Sequence, residues 1–325
     1  MSELANSHLL QVIDLKTHFH VSRGTLKAVD GVSFYLDNGE VLGIVGESAC
    51  GKSVTGLSLM RLIDPPGEIV GGQIILNGQD LLKLNNNEML KIRGRQVTMI
   101  QQNPDTSLNP VFRINDQIAE AIKTHRKLSQ EALNARVIEL LRLVRIPSPE
   151  VRALDYPHQM SGGMRQRIAG SIALACDAKL LIADEPTTNL DVTTQAQYIK
   201  LLEQVQKETG VGIIFITHDF GIVSTLCDRV AVMYAGRIVE TGPTKDLMEK
   251  PAHPYTRALL DSVPKPGSRS TRLHSIKGGP PNPLKLPPGC RFAPRCEKVQ
   301  PNCLEQYPPE VKINNNRSAS CYYVG

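Results

Sequence analysis

Three runs of apolar residues predict buried strands. The runs are 41–45, 180–183 and 212–217. Continuous apolar runs, as opposed to alternating ones, are typical of strands covered on both faces of a parallel sheet. Each run leads to a side chain that can do chemistry, and these are Lys52, Glu185 and His218. The pattern therefore indicates an α/β fold with one catalytic rim.

Other segments alternate between apolar and polar positions. Residues 9–36 do so on both sides of a turn at 22–24, which predicts an antiparallel hairpin ahead of the first buried run. Residues 71–80 predict a further strand with a tight Asn-Gly turn, and residues 97–100 predict another short strand. We expect an antiparallel β subdomain in addition to the buried strands.

A helical pattern lies between Asp105 and about Ala153. Apolar side chains recur there at spacings of three and four, namely Leu133, Val137, Leu140, Leu141 and Val144. A Pro-Ser-Pro sequence at 147–149 breaks the helix. The stretch therefore predicts a helical insertion in the α/β core.

The first buried run leads directly into a glycine loop. Residues 46–53 fit the pattern G-x-x-x-x-G-K-[ST], and helical spacing follows them. The two glycines let consecutive N–H groups turn toward an anion, Lys52 can reach the β- and γ-phosphates, and the Ser53 hydroxyl can bind Mg²⁺. We expect a nucleoside triphosphate on this loop, contacted by Gly46, Glu47, Ser48, Ala49, Cys50, Gly51, Lys52 and Ser53.

Two carboxylates follow the second buried run. Asp184 is placed to hold Mg²⁺, directly or through water, and Glu185 is placed to polarise an attacking water. The alternative is a strand end with solvated acids. The glycine loop favours the catalytic interpretation, because a phosphate site of that kind requires an acidic strand end nearby.

Two weaker signals lie elsewhere. Ser161, Gly162 and Gly163 start a predicted helix and form a second corner that can receive an anion, although the same residues fit an ordinary helix cap. Phe19 precedes the turn of the first hairpin. Its ring fits an adenine stack or the apolar face of a strand equally well.

Composition changes near Lys250. Of the 22 prolines, thirteen lie in residues 251–325, which also carry seven more basic than acidic side chains in a chain of net charge +5. The shift predicts a loop-rich module after an α/β region. Because aromatic residues are not interleaved with the basic ones, we expect no nucleic-acid partner. No apolar run approaches the ~18 residues of a membrane span, and residues 1–10 lack the pattern of a secretory signal.

Seven cysteines are present. Cys50, Cys176 and Cys227 are expected in the core or in loops, whereas Cys290, Cys296, Cys303 and Cys321 crowd the proline-rich module. Four thiols in a module too short for its own core indicate a metal staple. Their spacing is wider than the pairs typical of zinc and suits an iron–sulfur cluster, with zinc and free thiols as alternatives.

In order and spacing, six segments resemble the motifs of ABC transporter ATPases. They are the Walker A loop 46–53, the Q-loop Gln102, the signature 161–163, the Walker B strand 180–185, the D-loop 189–191 and the H-loop His218. This resemblance covers residues 1–250. Residues 253–260 and 289–296 resemble the C-terminal extension of ATP-binding subunits from bacterial dipeptide and oligopeptide importers.

The resemblance implies a role for each motif. Two subunits would sandwich two ATP molecules with Mg²⁺, so that Ser161, Gly162, Gly163 and Asp191 would meet the nucleotide on the partner's loop. Gln102 would sense Mg²⁺ or the attacking water, Glu185 would be the general base and His218 would position it. Phe19 becomes the best candidate for the adenine stack.

Four positions depart from the family pattern. They are Ala49 in the glycine loop, Gln101 before the Q-loop glutamine, Met164 in the signature and Asn189 in the D-loop. None of these changes removes a catalytic group, so we expect active hydrolysis.

The resemblance also implies an organisation and a setting. We expect a P-loop ATPase core (1–102 and 160–250), a helical subdomain (103–159) and an extension (251–325) with a four-iron four-sulfur cluster on its cysteines, beside Arg291 and Arg295. The expected partners are a homologous second ATPase subunit, two transmembrane permease subunits and, indirectly, an extracytoplasmic peptide-binding protein, at the cytoplasmic face of the bacterial plasma membrane. The implied function is to power import of dipeptides or oligopeptides. The alternatives are another solute such as nickel, or a soluble ABC ATPase that acts on nucleic acid.

Overall fold

The computed structural model describes residues 8–103, 107–263 and 276–324. The expected start of the helical stretch at Asp105 lies outside these ranges. Clustering of contacts divides the described chain into two compact units. Unit 1 comprises the described residues up to Leu9, together with Leu36–Glu40 and Lys83–Phe215. Unit 2 comprises Leu10–Tyr35, Val41–Leu82 and the described residues from Ile216 onward.

The strands are β1 Leu10–Val21, β2 Gly24–Leu36, β3 Val41–Val45, β4 Gly67–Leu76, β5 Gln79–Asp80, β6 Val97–Ile100, β7 Leu180–Asp184, β8 Gly212–Thr217, β9 Arg229–Tyr234, β10 Arg237–Pro243, β11 Val311–Asn314 and β12 Arg317–Ala319.

The helices are α1 Lys52–Leu59, α2 Asn86–Ile92, α3 Ile114–His125, α4 Gln130–Leu143, α5 Pro149–Arg152, α6 Gly162–Ala173, α7 Val192–Thr209, α8 Phe220–Leu226, α9 Thr244–Glu249, α10 Pro254–Asp261 and α11 Asn302–Glu305. Short 3₁₀ turns occupy Leu81–Lys83, Pro157–Gln159 and Ala293–Arg295.

Unit 2 begins with the predicted hairpin. Strands β1 and β2 are neighbours, and the order of this sheet is β2-β1-β4-β5. Strand β1 pairs antiparallel with β4, which places Leu10 opposite Leu76 and Phe19 opposite Gly67. The expected antiparallel β subdomain is confirmed, and its third strand begins at Gly67, four residues earlier than the alternating pattern indicated.

A second set of strands in unit 2 runs in the order β11-β12-β10-β9-β3. Strand β3 is buried along its whole length and pairs in parallel with β9, as its continuous apolar run predicted. The pairs β9–β10, β10–β12 and β12–β11 are antiparallel. The C-terminal strands therefore extend the sheet that carries the glycine loop.

Within unit 2, a buried carboxylate bonds β10 to both ends of the extension. Glu240 on β10 is 1% exposed and accepts hydrogen bonds from the N–H groups of Ala252 and His253, each at 2.9 Å. The Arg317 guanidinium on β12 reaches the same carboxylate at 2.7 Å. Because a buried charge must be paired, these contacts fix the start and the end of the extension on one strand.

In unit 1 the strands are arranged in the order β8-β7-β6. Strand β8 belongs to this unit up to Phe215. Strands β6 and β7 are parallel, with Val97 opposite Leu180. The predicted helical insertion is confirmed. Helix α4 starts at an N-cap of Ser129 and ends before the Pro-Ser-Pro sequence, and it buries Leu133, Val137, Leu140 and Leu141.

Among the helices that the structure describes, none is both long enough and apolar enough to cross a membrane.

Candidate nucleotide site

The glycine loop of unit 2 joins β3 to α1. Gly51 caps the helix with φ 107°, and a Cβ at this position would lie 2.2 Å from the Ala28 carbonyl oxygen. Only glycine fits that place. Ala49 has φ 61°, so the alanine occupies left-handed backbone that glycine would adopt without strain. The loop is therefore tightly turned at two of its residues.

Lys52 lies inside this turn. Its side chain is almost fully buried, and Nζ donates to the carbonyl oxygens of Gly46 (2.9 Å) and Glu47 (3.0 Å). A buried ammonium enclosed by a helix N-terminus and a tight loop is suited to phosphate oxygens. Ser53 follows it in the first turn of α1.

Glu47 connects the loop to the extension. Its backbone N–H donates to the Tyr255 hydroxyl at 2.9 Å, and its two carboxylate oxygens accept hydrogen bonds from Arg295 at 2.6 and 2.9 Å. This contact is not predictable from the sequence. No local pattern reveals it, because Glu47 and Arg295 are separated by 248 positions.

The acidic strand end belongs to unit 1. Asp184 closes β7 and is largely buried, and Glu185 follows with φ 43°, an uncommon conformation for a residue with a side chain. The Glu185 carboxylate accepts hydrogen bonds from Gln102 Nε2 (3.2 Å) and from the Thr188 hydroxyl (3.0 Å). The structure thus brings together two predicted residues and adds Thr188, which sequence reasoning missed.

The serine–glycine corner and Asp191 also lie in unit 1. Ser161 caps α6 by accepting the Met164 N–H, and Asp191 caps α7 by accepting the N–H groups of Thr193 and Thr194. The hydrogen bonds from Thr194 lower the pKa of Asp191. A Cβ at Gly163 would lie 2.6 Å from Thr194 Cγ2, so the two helix starts approach each other closely.

Two further predicted residues lie in unit 2. His218 follows the end of β8 and is exposed. Phe19 on β1 is half-buried, and its ring lies 2.6 Å from where a Cβ on Gly67 would be. The ring therefore fills the space above a glycine of the neighbouring strand. This is the packing role that the sequence allows as the alternative to stacking on adenine.

The seven cysteines divide as predicted. Cys50, Cys176 and Cys227 are buried. The other four cysteines line one cavity of unit 2, and they are Cys290, Cys296, Cys303 and Cys321. His253, Phe292 and Tyr322 line the same cavity. Burial, with a smaller effect of the neighbouring thiols Cys296 and Cys321, raises the pKa of Cys290 to about 11.

The metal-binding part of the expected extension is not supported by this geometry. Within the residues that the structure describes, no group of three or more His, Cys, Asp or Glu side chains is placed to hold a metal ion. Both arginines that were expected beside the cluster pair with carboxylates. Arg291 pairs with the Asp30 carboxylate and Arg295 with Glu47, because each guanidinium is buried and requires a carboxylate.

A phosphate-binding loop between a buried strand and a helix, and an acidic strand end with a hydrogen-bonded glutamate, define a P-loop ATPase. Residues 29–188 match the family model described as "ABC transporter", and residues 239–303 match "Oligopeptide/dipeptide transporter, C-terminal region".

Relatives support the same assignment. The chain is 48% identical over 316 residues to a probable peptide ABC transporter ATP-binding protein of Sinorhizobium fredii, covering 97% of this chain and 94% of that protein. It is 46% identical over 315 residues to the dipeptide transport ATP-binding protein DppD of Bacillus subtilis, covering 97% and 94%. The structure of CbiO1 of Clostridium perfringens, described as part of the ABC transporter complex cbiONQ, superposes with TM-score 0.65 at 28% identity, covering 75% of this chain and 91% of that one.

The chain therefore belongs to the ABC transporter family, in the group whose C-terminal region is that of oligopeptide and dipeptide transporters. It is an ATPase, and the mixed α/β cassette fold expected from its motifs is confirmed.

Proposed function

We propose that this chain hydrolyses ATP to power the import of dipeptides or oligopeptides. The observation that carries the proposal is the pairing of an ABC cassette with a peptide-transporter C-terminal region that is bonded to its phosphate-binding loop. Two of the relatives are named as a probable peptide and a dipeptide transport ATP-binding protein, which supports the substrate class.

The partners follow from this function. The chain would work with a homologous ATPase subunit and two transmembrane permease subunits, at the cytoplasmic face of a bacterial plasma membrane. An extracytoplasmic peptide-binding protein would deliver the substrate. The lack of a membrane-spanning helix among the described residues is compatible with such a peripheral subunit.

We assign a role in the nucleotide chemistry to residues of each unit. In unit 2 the backbone of residues 46–53 would bind the phosphates, and Lys52 would neutralise their charge. In unit 1 Glu185 would accept the proton of the attacking water, while Gln102 and Thr188 hold its carboxylate in place. Ser53, Asp184 and Gln102 would hold Mg²⁺, which supplies a positive charge on the phosphate oxygens.

The remaining motifs would act across a pair of subunits. Ser161, Gly162, Gly163 and Asp191 would approach the nucleotide on the partner's loop, and His218 would position Glu185 and the terminal phosphate. Ser161 is exposed at the start of α6, as this role requires. Phe19 would stack on adenine with the part of its ring that remains exposed.

We propose a four-iron four-sulfur cluster for the cysteine cavity. All four cysteines line one cavity, and four cysteine thiolates are the usual ligands of such a cluster. When bound, the cluster would cross-link four points of a proline-rich segment. Zinc is the alternative occupant.

The function is tested by a conservative change of the proposed base. Glu185→Gln keeps the hydrogen bonds of the carboxylate group but cannot accept a proton. We expect ATP binding to persist and phosphate release to fall about 10²- to 10⁴-fold. Cells that carry the variant should also lose uptake of a labelled dipeptide, because hydrolysis powers that uptake.

A control variant accompanies this test. Glu203→Gln changes a carboxylate of α7 that pairs with Lys207 at the helix surface, and it should leave both rates unchanged. Hydrolysis retained by Glu185→Gln would contradict its role as base. Loss of nickel uptake with normal dipeptide uptake would contradict the peptide substrate.

A further inference from the structure

The second residue of the glycine loop is held by the C-terminal extension on two sides. Arg295 binds the Glu47 carboxylate through two parallel hydrogen bonds, and the Tyr255 hydroxyl accepts the Glu47 N–H at 2.9 Å. Bidentate pairs of this kind are among the stronger polar contacts in proteins, because both charges and the geometry are matched.

Burial makes this contact rigid. The Arg295 side chain is 5% exposed, whereas Glu47 is 27% exposed. Tyr234, Tyr255 and Phe292 pack around the pair with ring centroids 4.4 to 5.4 Å apart. Arg295 therefore cannot exchange Glu47 for water without opening an aromatic cluster.

Glu47 passes this constraint to the residue that binds phosphate. Its carbonyl oxygen accepts a hydrogen bond from Lys52 Nζ at 3.0 Å. A continuous series of polar contacts thus leads from Arg295 through Glu47 to Lys52. Any change in the position of Arg295 changes the conformation of the loop that Lys52 occupies.

Arg295 belongs to a short turn between two of the cysteines. The 3₁₀ turn Ala293–Arg295 lies between Cys290 and Cys296, and its first residue is bonded to both: the Ala293 N–H donates to the Cys290 carbonyl oxygen and the Cys296 N–H donates to the Ala293 carbonyl oxygen. Phe292 and Ala293 line the same cavity as the four thiols. One short turn therefore presents Arg295 to the loop and two cysteines to the cavity.

We propose that Arg295 is a positioning residue for nucleotide binding, which couples the cysteine cavity to the phosphate-binding loop. The proposal rests on the assignment of residues 46–53 as the nucleotide loop. Coupling between two sites is reciprocal, so an ordered cysteine segment tightens nucleotide binding and bound nucleotide orders the cysteine segment.

The first test measures nucleotide affinity with a fluorescent ATP analogue. Arg295→Gln and Glu47→Gln each break the bidentate pair, and each should weaken binding about tenfold. The double variant should bind no more weakly than either single variant, because all three lack the same contact. Lys285→Gln removes a charge from an exposed position of the extension and should bind as the wild type does.

The second test measures the reverse direction and does not depend on activity. A non-hydrolysable ATP analogue should slow amide hydrogen exchange in residues 290–303 of the wild type by several-fold. The analogue should have no such effect in Glu47→Gln at a concentration that saturates the variant. A role of Arg295 in stability alone would leave this protection unchanged.

The outcomes separate the coupling from the nucleotide site itself. Wild-type affinity in Arg295→Gln, additive losses in the double variant, or unchanged protection in Glu47→Gln would each overturn the coupling. Lys52→Ala should abolish binding of the analogue, and retained binding there would overturn the nucleotide site instead.

Discussion

At the scale of single residues, Glu185 combines an uncommon backbone conformation with a fixed side chain. A φ of 43° costs a residue with a Cβ about 1 kcal/mol. The carboxylate is held by Gln102 and by Thr188, which is three residues further along the chain. This conformation turns the chain sharply after β7. The turn brings the Thr188 hydroxyl within hydrogen-bond distance of the Glu185 carboxylate.

Gly163 offers a test of close packing between the signature and the D-loop. A Cβ there would meet Thr194 Cγ2 at 2.6 Å, and the Thr194 hydroxyl is held by Asp191 at 2.7 Å and cannot rotate freely. Gly163→Ala should therefore destabilise the fold by about 1–2 kcal/mol. Urea unfolding of the purified protein measures this change.

A second substitution isolates the cause. Thr194→Ser keeps the hydroxyl and removes the methyl group that blocks the alanine. In this background Gly163→Ala should be neutral or stabilising, since alanine is the better helix former by about 1 kcal/mol. The same cost in both backgrounds would show that the close approach is not responsible.

The placement of residues was predictable where it depends on spacing along the chain. The loop 46–53, Asp184 with Glu185, and Gln102 lie at or just after the ends of recognisable strands. The pairing of Arg295 with the distant Glu47 was not predicted. Pairing of buried charges across such separations leaves no periodic trace.

At the scale of elements, β2 is tied to the extension by one ion pair. The Asp30 carboxylate on β2 is 9% exposed and pairs with the Arg291 guanidinium, which is 7% exposed. Arg291 also donates to the Ala235 carbonyl oxygen. Burial alone would raise the pKa of Asp30, but the hydrogen bond and the charge of Arg291 outweigh it and lower the pKa.

This shift predicts a pH dependence of stability. Because the folded pKa of Asp30 lies below its unfolded value of about 3.9, the stabilisation is complete above that pH and is lost as the pH falls through the folded pKa. Asp30→Asn leaves Arg291 buried without its charge partner and should cost about 3–5 kcal/mol at pH 7. The cost should shrink in acid. Urea unfolding between pH 7 and pH 3 measures both values.

A matched control lies on the preceding strand. Asp14 pairs with Lys16 at 2.7 Å, and the Asp14 side chain is 60% exposed. Asp14→Asn should cost less than about 1 kcal/mol, because solvent screens an exposed pair. A cost of Asp30→Asn that does not vary with pH would contradict the lowered pKa.

Elements with strong periodicity were predictable, and those formed by distant pairing were not. Strands β3, β6, β7 and β8 coincide with apolar runs or short apolar segments, and helix α4 coincides with its three-and-four spacing. The short β12 pairs with β10, which lies more than seventy positions earlier in the chain. Its three residues carry no pattern that distinguishes a strand from a loop.

At the scale of the whole molecule, the elemental content of the chain distinguishes the proposed occupants of the cysteine cavity. Protein purified without oxygen should contain about four irons and four acid-labile sulfides per chain, with visible absorption typical of a cluster. Serine replacements of Cys290, Cys296, Cys303 and Cys321 should lower this content. Serine replacement of Cys176, which is buried in unit 1, should leave it unchanged.

Other contents would revise the occupant. Stoichiometric zinc without sulfide would replace the cluster by a single ion and leave the ATPase assignment intact. A chain free of iron, zinc and sulfide would contradict any metal in this cavity.

The last strands of the chain also have a protective consequence. Strand β10 is covered on its outer side by β12, and β12 is covered by β11, whose four residues are all exposed and include Lys312. Without this cover the backbone of β10 would be open to strands of other molecules, whereas a short outer strand that carries a lysine discourages such pairing. The C-terminal extension therefore has two effects. Its Arg295 contacts the glycine loop, and its last strands protect β10 from pairing with other molecules.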